Sequence, residues 1–390
     1  MQNIVSVCWT DHLTMGEGDG QLKTVDALKR RMEQWRANLG TTSLLWRQSM
    51  ARKDGKFTAA PGSEQAIKIK RKSDVDWDDF DVVPELSHQN GMQAYLYVPI
   101  LDEGRPLPSE SERKVSYHNK GHGQDLAWQS NFTIANPEYL TLDKSLENKQ
   151  WGVLSLAYPE VRNHLVERFT KLLDGYDFDG LFICFRSQSR PPDFADEFGF
   201  NTPIRNDYLE RYGKDIWKDE FDLQAWRDLQ GEYLTELIAQ IREATNKSGH
   251  RLAIGCARGD VLGHPLGNTS IHWRKWIERG LIDQLVINQD SSRCPSMWID
   301  LWPMHRGGGY TQDYLRGVDM APLDHQLTND YGPALDGNST ELYVARQWNN
   351  RSESEERSLL AHPAVSGLVY SSFRYDNAET IGTHQGDWDL

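Results

Sequence analysis

The stretch Tyr158–Arg190, YPEVRNHLVERFTKLLDGYDFDGLFICFRSQSR, decides the fold. Proline stands in the first turn of a helix, where its missing N–H costs nothing. Val161, Leu165, Phe169 and Leu172 then share one helix face. A polar turn leads into Gly180-Leu181-Phe182-Ile183-Cys184-Phe185, an apolar run that stops abruptly at Arg186. A one-faced helix feeding a short apolar strand is half of a crossover unit in a parallel sheet.

The same alternation continues in both directions. Upstream lie apolar runs at Ile4–Trp9, Ser43–Trp46 and Met92–Ile100, with helical periodicity at 25–39 and 81–90 between them. Downstream lie a helix over 221–245 and strands at Leu252–Ala257 and Ile282–Ile287 separated by a helix at 271–279. Two more strands, Leu342–Ala345 and Gly367–Tyr370, flank a helix at 352–362. Eight strands predict an α/β fold, a (β/α)8 TIM barrel with long βα loops, as a single domain over 1–390 with insertions at about 51–80, 104–150 and 187–220. The first reads as an insertion or small hairpin, the second as a long loop over the strand ends and the third as another long loop. An open doubly wound sheet is the rival, but it calls for a glycine-rich turn after its first strand, and Thr10-Asp11-His12-Leu13 supplies none.

Composition narrows the function. The net charge of -14 argues against nucleic acid as a partner. No apolar run approaches the length of a membrane span, and mean hydropathy is -0.67. Met1–Thr10 lacks the pattern of a signal peptide, so the location is cytoplasmic unless a leader was removed, in which case it is secreted or periplasmic. Cys8, Cys184, Cys256 and Cys294 form no CxxC, and three of them fall in apolar runs, which reads as core. His118 and His122 fall in a Gly- and Asn-rich stretch and HExxH is absent, so no metal and no cofactor is expected. Neither GxSxG nor GxxxxGKS/T occurs.

In such barrels the working residues come from the C-terminal ends of several strands. Those ends hold Asp11, His12, Arg47, Asp102, Glu103, Arg186, Arg258, Asp260, Asp290, Arg346, Gln347, Trp348, Arg374 and Asp376. Arg47, Arg186, Arg258, Arg346 and Arg374 come from five different strands. A guanidinium fork matches carboxylate or sulfate, so one reading is an anionic substrate; the other is a ring of Arg–Asp pairs tying strand ends together. Asp260 and Asp290 end neighbouring strands, which lie about 4.8 Å apart, so their carboxyls could stand at the separation used in glycoside hydrolysis. Asp11, Asp102, Glu103 and Asp376 are reserves, and His12 could assist. Trp9, Trp128, Trp298, Trp302 and Trp348 lie in or beside strand-end loops, where aromatic faces could stack on sugars or simply pack.

Two phrases carry a family likeness. Tyr158-Pro159-Glu160-Val161-Arg162 with Tyr176-Asp177-Phe178-Asp179-Gly180-Leu181, followed by Phe198-Gly199-Phe200-Asn201 and Tyr208–Gly213, resembles a block of bacterial glycosyl-hydrolase-like, family-10-like barrels. The likeness is best over about 135–290. It implies a glycoside hydrolase relative acting on polysaccharide. Such relatives place an acid at the end of the fourth strand; here Cys184-Phe185-Arg186 holds that end, and Asp179 precedes the strand on the opposite face. Either the acids fall to Asp260 and Asp290, or the chain binds glycan without hydrolysing it. The expectation is a hydrolase of an anionic, uronate-bearing or sulfated saccharide. The alternatives are a non-catalytic carbohydrate-binding barrel, or a polysaccharide lyase using His12 or Tyr97 as base.

Overall fold

A closed ring of eight strands, β1-β10-β9-β8-β7-β6-β3-β2, forms the centre of the molecule, every neighbouring pair parallel. The computed structural model describes residues 2–9, 12–13, 18–47, 75–101, 103, 130–185, 198–256, 258–260, 269–287, 321–346 and 353–372. The barrel strands are β1 Asn3–Val7, β2 Thr41–Arg47, β3 Gln93–Pro99, β6 Gly180–Cys184, β7 Arg251–Gly255, β8 Gln284–Ile287, β9 Glu341–Ala345 and β10 Gly367–Ser371. β4 Leu140–Leu142 and β5 Lys149–Leu154 form a separate antiparallel hairpin. The helices, in chain order, are α1 Val25–Leu39, α2 Asp79–Gln89, α3 Asn131–Ala135, α4 Pro159–Asp174, α5 Thr202–Tyr212, α6 Leu223–Ser248, α7 Trp273–Glu278, α8 Leu323–Gln326, α9 Gly332–Leu335 and α10 Glu353–Ala361. Among the described residues no helix is long and apolar enough to cross a membrane.

The eight predicted strands are the eight observed, with ends shifted by a few residues. The loop reading of two insertions is corrected. Residues 130–154 fold into α3, a short 3-10 turn and the hairpin, and 202–212 is helix α5. Residues 51–74 lie outside the described set.

Strand alternation splits the apolar residues into two layers. Ile4, Leu45, Tyr95, Tyr97, Phe182, Cys184, Ala253, Val286, Tyr343 and Val369 fill the lumen. Their alternates, such as Val5, Leu44, Leu96, Ile183 and Ile254, pack outward against the helices. At the N-terminal end the lumen is plugged by Tyr95 and Tyr343. Beneath them Glu341 Oε2 accepts from Arg251 (3.0 Å) and from Gln284 (2.9 Å), and the Tyr343 hydroxyl donates to Gln2 (3.0 Å). Room for the rings comes from Gly180 and Gly367, where no side chain stands. Asp179 belongs to this same end, accepting from the Ala94 N–H at 2.7 Å and pairing with His88 at 2.9 Å. It ties β3 to β6 and stands away from the mouth, as read from its position before the strand.

Glu103 marks where the chain leaves the barrel after β3 and returns. Its N–H donates to the Gly152 carbonyl (3.0 Å) and its carbonyl accepts from Ser130 (2.9 Å), so residues 103 and 130 meet. The side chain is fully buried and paired with Arg168 of α4. Burial alone would raise its pKa, but the Arg168 guanidinium, seconded by the Ser130 hydroxyl, holds it below the usual glutamate value. A carboxyl depressed in the folded state stabilises the protein above the ordinary glutamate range, and that contribution fades as pH falls through the folded value. The denaturant midpoint is therefore expected to drop between about pH 7 and about pH 3, and Glu103→Gln, already weakened at neutral pH, should lose less over that interval. Parallel pH profiles for the two proteins would contradict this.

Candidate functional site at the barrel mouth

At the C-terminal end the lumen opens. Most barrel-strand residues are fully buried, yet Ser6, Pro99, Ala345 and Ser371, all on lumenal positions, are half-buried, as is Cys8 just beyond β1. Ser6 and Ser371 are register partners on β1 and β10, and Ala345 on the neighbouring β9 pairs with Val369, one lumenal position before Ser371. Across the ring, on β6 and β3, Phe182 and Tyr97 are buried in an edge-to-face pair, and the Tyr97 hydroxyl donates to Cys184 Sγ at 3.1 Å. Half-buried small side chains on β1, β9 and β10 thus contrast with buried aromatic rings on β3 and β6.

The predicted site residues divide sharply. Asp11, Asp290, Arg186, Arg374, Trp302, Trp348, Gln347 and Asp376 lie outside the described residues, as do Asp102, Trp128 and Trp298. Arg47 shares the lumenal parity of Leu45, and its guanidinium lies over the Tyr97 ring, 5.7 Å from the centroid. Arg346 has the opposite parity. It turns outward to α10, where Glu355 (2.8 Å) and Glu356 (3.4 Å) receive it, and its side chain is only 2% exposed. The expectation of Arg346 as a substrate ligand is corrected: it is a buried anchor between β9 and α10.

Trp9 is corrected likewise. It is completely buried, its ring packs against Trp77 at 4.5 Å and Trp46 at 6.0 Å, and its indole N–H donates to the Leu22 carbonyl at 3.1 Å. No face is left to stack on a sugar. His12 is buried at the exits of β1 and β10. Nδ1 faces the Gly20 carbonyl at 2.8 Å, so it carries the proton and donates; Nε2 then accepts from the Ser372 hydroxyl at 2.8 Å. Both nitrogens serve the framework, which corrects the expectation of a substrate-facing histidine. Glu103, a reserve acid, sits behind the hairpin in its pair with Arg168.

Asp260 stands past the end of β7, exposed. Its Oδ1 accepts from the Trp273 indole (2.8 Å) and from Arg274 (2.6 Å), and Arg274 also reaches Asp330 at 3.6 Å. These donors come from α7 and fix the carboxylate's direction while Oδ2 carries neither bond. The residue before it in this loop, Gly259, adopts a left-handed φ of 92° and donates its N–H to the Tyr331 hydroxyl at 3.2 Å. Sequence reading missed Tyr331 and also Gln326, which holds Arg258; the available signal was the Gly332-Pro333 step. Among the described residues no group of three or more His, Cys, Asp or Glu could hold a metal ion.

A closed eight-stranded parallel barrel with its open end at the C-terminal strand edge defines a (β/α)8 barrel protein. No family model matches the chain, and comparison with curated proteins finds no match. Among solved structures it is similar to the catalytic domain of beta-amylase from Paenibacillus polymyxa, with a TM-score of 0.55 and 9% identity over 96% of this chain and 92% of that one. It is also similar to the PgaB (BpsB) glycoside hydrolase domain from Bordetella bronchiseptica, with a TM-score of 0.50 and 15% identity over 98% of both chains. Both likenesses span essentially the whole chain, and at these identities they establish the shared fold.

Proposed function

We propose that the chain is a glycoside hydrolase working at the barrel mouth on an anionic, uronate-bearing or sulfated saccharide. The observation that carries this reading is the partial exposure of lumenal residues at the C-terminal strand ends, in a barrel whose full-length structural relatives are a beta-amylase catalytic domain and a glycoside hydrolase domain. Asp260 and Asp290 are the proposed pair, one acting as acid and the other as nucleophile or base. The α7 donors that aim the Asp260 carboxylate support its place in that pair. The anionic preference rests on the arginines at strand ends, Arg47 and Arg258 among those described.

The test is release of reducing ends from a panel of acidic and neutral polysaccharides. Release from an acidic member, with no unsaturated product, supports hydrolysis. Release of an unsaturated uronate would move the reading to a lyase. Saturable binding with no release would move it to a carbohydrate-binding barrel, a reading favoured by one observation: the Asp260 carboxylate already holds Arg274.

A further inference from the structure

The arginines around the barrel mostly face carboxylates. Arg346 faces Glu355, Arg274 faces Asp260, Arg242 faces Asp283, Arg251 faces Glu341 and Arg168 faces Glu103. Arg258 differs. Its Nη1 donates to the Ala321 carbonyl at 3.3 Å and to the Gln326 amide oxygen at 3.2 Å, two neutral acceptors, and no carboxylate pairs with it among the described residues. Both bonds use one nitrogen. The residue is half-buried, and its Nε–Nη2 edge makes no hydrogen bond among the described residues. Burial pulls the guanidinium's pKa down, with Tyr331 opposing. A partly desolvated cation with an open edge gains more from an anion than a fully hydrated one does.

The partner that holds it is built by an irregular helix. Between α8 and α9 the chain makes a π turn, Leu327–Tyr331, closed by the Gly332 N–H to the Leu327 carbonyl. A Cβ at 332 would come within 2.8 Å of that same carbonyl oxygen, and Pro333 has no N–H to continue an ordinary helical ladder. The Gly-Pro step therefore makes the π turn, a feature frequent at functional sites. Gln326 and Tyr331, at its two ends, take consecutive residues of the β7 exit: Gln326 holds Arg258, and the Tyr331 hydroxyl holds the Gly259 N–H. The Tyr331 ring packs on Trp273 with centroids 4.5 Å apart, and Trp273 in turn holds Asp260. Three adjacent residues at the strand end are fixed from one side, the cation two residues before the proposed acid.

We propose that Arg258, aimed by Gln326 and the π turn, is the specificity-determining residue for a uronate, its Nε–Nη2 edge taking the sugar carboxylate through two parallel hydrogen bonds. The inference rests on the reading of the mouth as a saccharide site and sharpens its substrate to a carboxylate. A planar carboxylate matches the guanidinium fork directly. Gln326 is a positioning residue and touches no substrate.

The test is calorimetric titration of the full chain with short oligouronates, with a neutral oligosaccharide and with a sulfated one. Wild type should bind an oligouronate in preference to both others. Arg258→Gln should weaken oligouronate binding about 30-fold, a far larger loss than any it causes for the neutral ligand. Gln326→Leu should give a smaller loss with the same selectivity, a pattern that a purely structural role would not produce. Should Arg258→Gln fail to fold, Arg258→Lys serves in its place; it keeps the charge but not the fork, and should lose most of the preference. The assignment is overturned by equal losses on acidic and neutral ligands, by no loss, by preference for the sulfated ligand, or by failure to bind any oligouronate. Hydrolysis is judged separately from reducing ends: uronate binding that depends on Arg258 without product release ends the hydrolase reading and leaves this one standing.

Discussion

Asp260→Asn is expected to lower turnover of an acidic polysaccharide by about 10³-fold with the thermal midpoint almost unchanged. The replacement is nearly isosteric. Its amide oxygen can still accept from the Trp273 indole and from Arg274, so the loop's local bonds survive. What disappears is the carboxylate. The pair it makes with Arg274 is exposed, with side chains 61% and 48% accessible, so its loss should cost under about 1 kcal/mol of stability. Activity and stability therefore separate cleanly in this variant. Asp290→Asn should behave the same way. Full turnover in both variants would return Asp260 to a loop-holding role and leave the mouth without its proposed chemistry.

The second large effect is expected at the seam where the ring closes. Gly367 begins β10, and a Cβ there would lie 1.9 Å from the Gln2 carbonyl oxygen, 2.7 Å from its carbon and 3.2 Å from the Tyr343 ring. The first two obstacles are backbone and cannot swing aside. Gly367→Ala must push the start of the chain away from β10, loosening the Gln2 N–H bond to the Ser366 carbonyl (3.3 Å) and the Tyr343–Gln2 bond beneath it. A loss of about 3 kcal/mol or more is expected, read as a fall in the denaturant midpoint. Gly180→Ala meets a similar barrier, the Arg251 carbonyl at 2.5 Å and the Tyr95 ring at 2.8 Å, and should also destabilise. An unchanged midpoint for Gly367→Ala would mean that the seam yields far more readily than its packing implies.

The barrel was legible in the sequence because parallel strands covered on both faces are nearly continuous apolar runs, and each of the eight ends at a polar group or a turn. The same two-sided burial hides which face of a strand points inward. Arg47 and Arg346 look alike as strand-end arginines, yet one follows the lumenal parity of Leu45 and the other the outward parity of Val344. The pair Glu355-Glu356 was the available hint that Arg346 had partners on the following helix. Trp9 and His12 were read from their place beyond a strand, which says nothing about how deeply a side chain is covered. The hairpin escaped notice because β4 has three residues and β5 begins with Lys149-Gln150. Helix α5 escaped because only Ile204 and Tyr208 are buried on it, too few for a periodic stripe. The π turn follows from Gly332-Pro333, a pair that in sequence signals only an interruption.

The stapled neck at Glu103 and Ser130 has a consequence for how this architecture can vary. Because the backbone at those two residues is directly hydrogen-bonded, the number of residues strung between them is uncoupled from the spacing of β3 and β6. Closing a longer or shorter span adds only a slowly growing entropic cost. The intervening sequence can thus be exchanged as a cassette, by evolution or by a protein engineer, while the ring beneath it keeps its register.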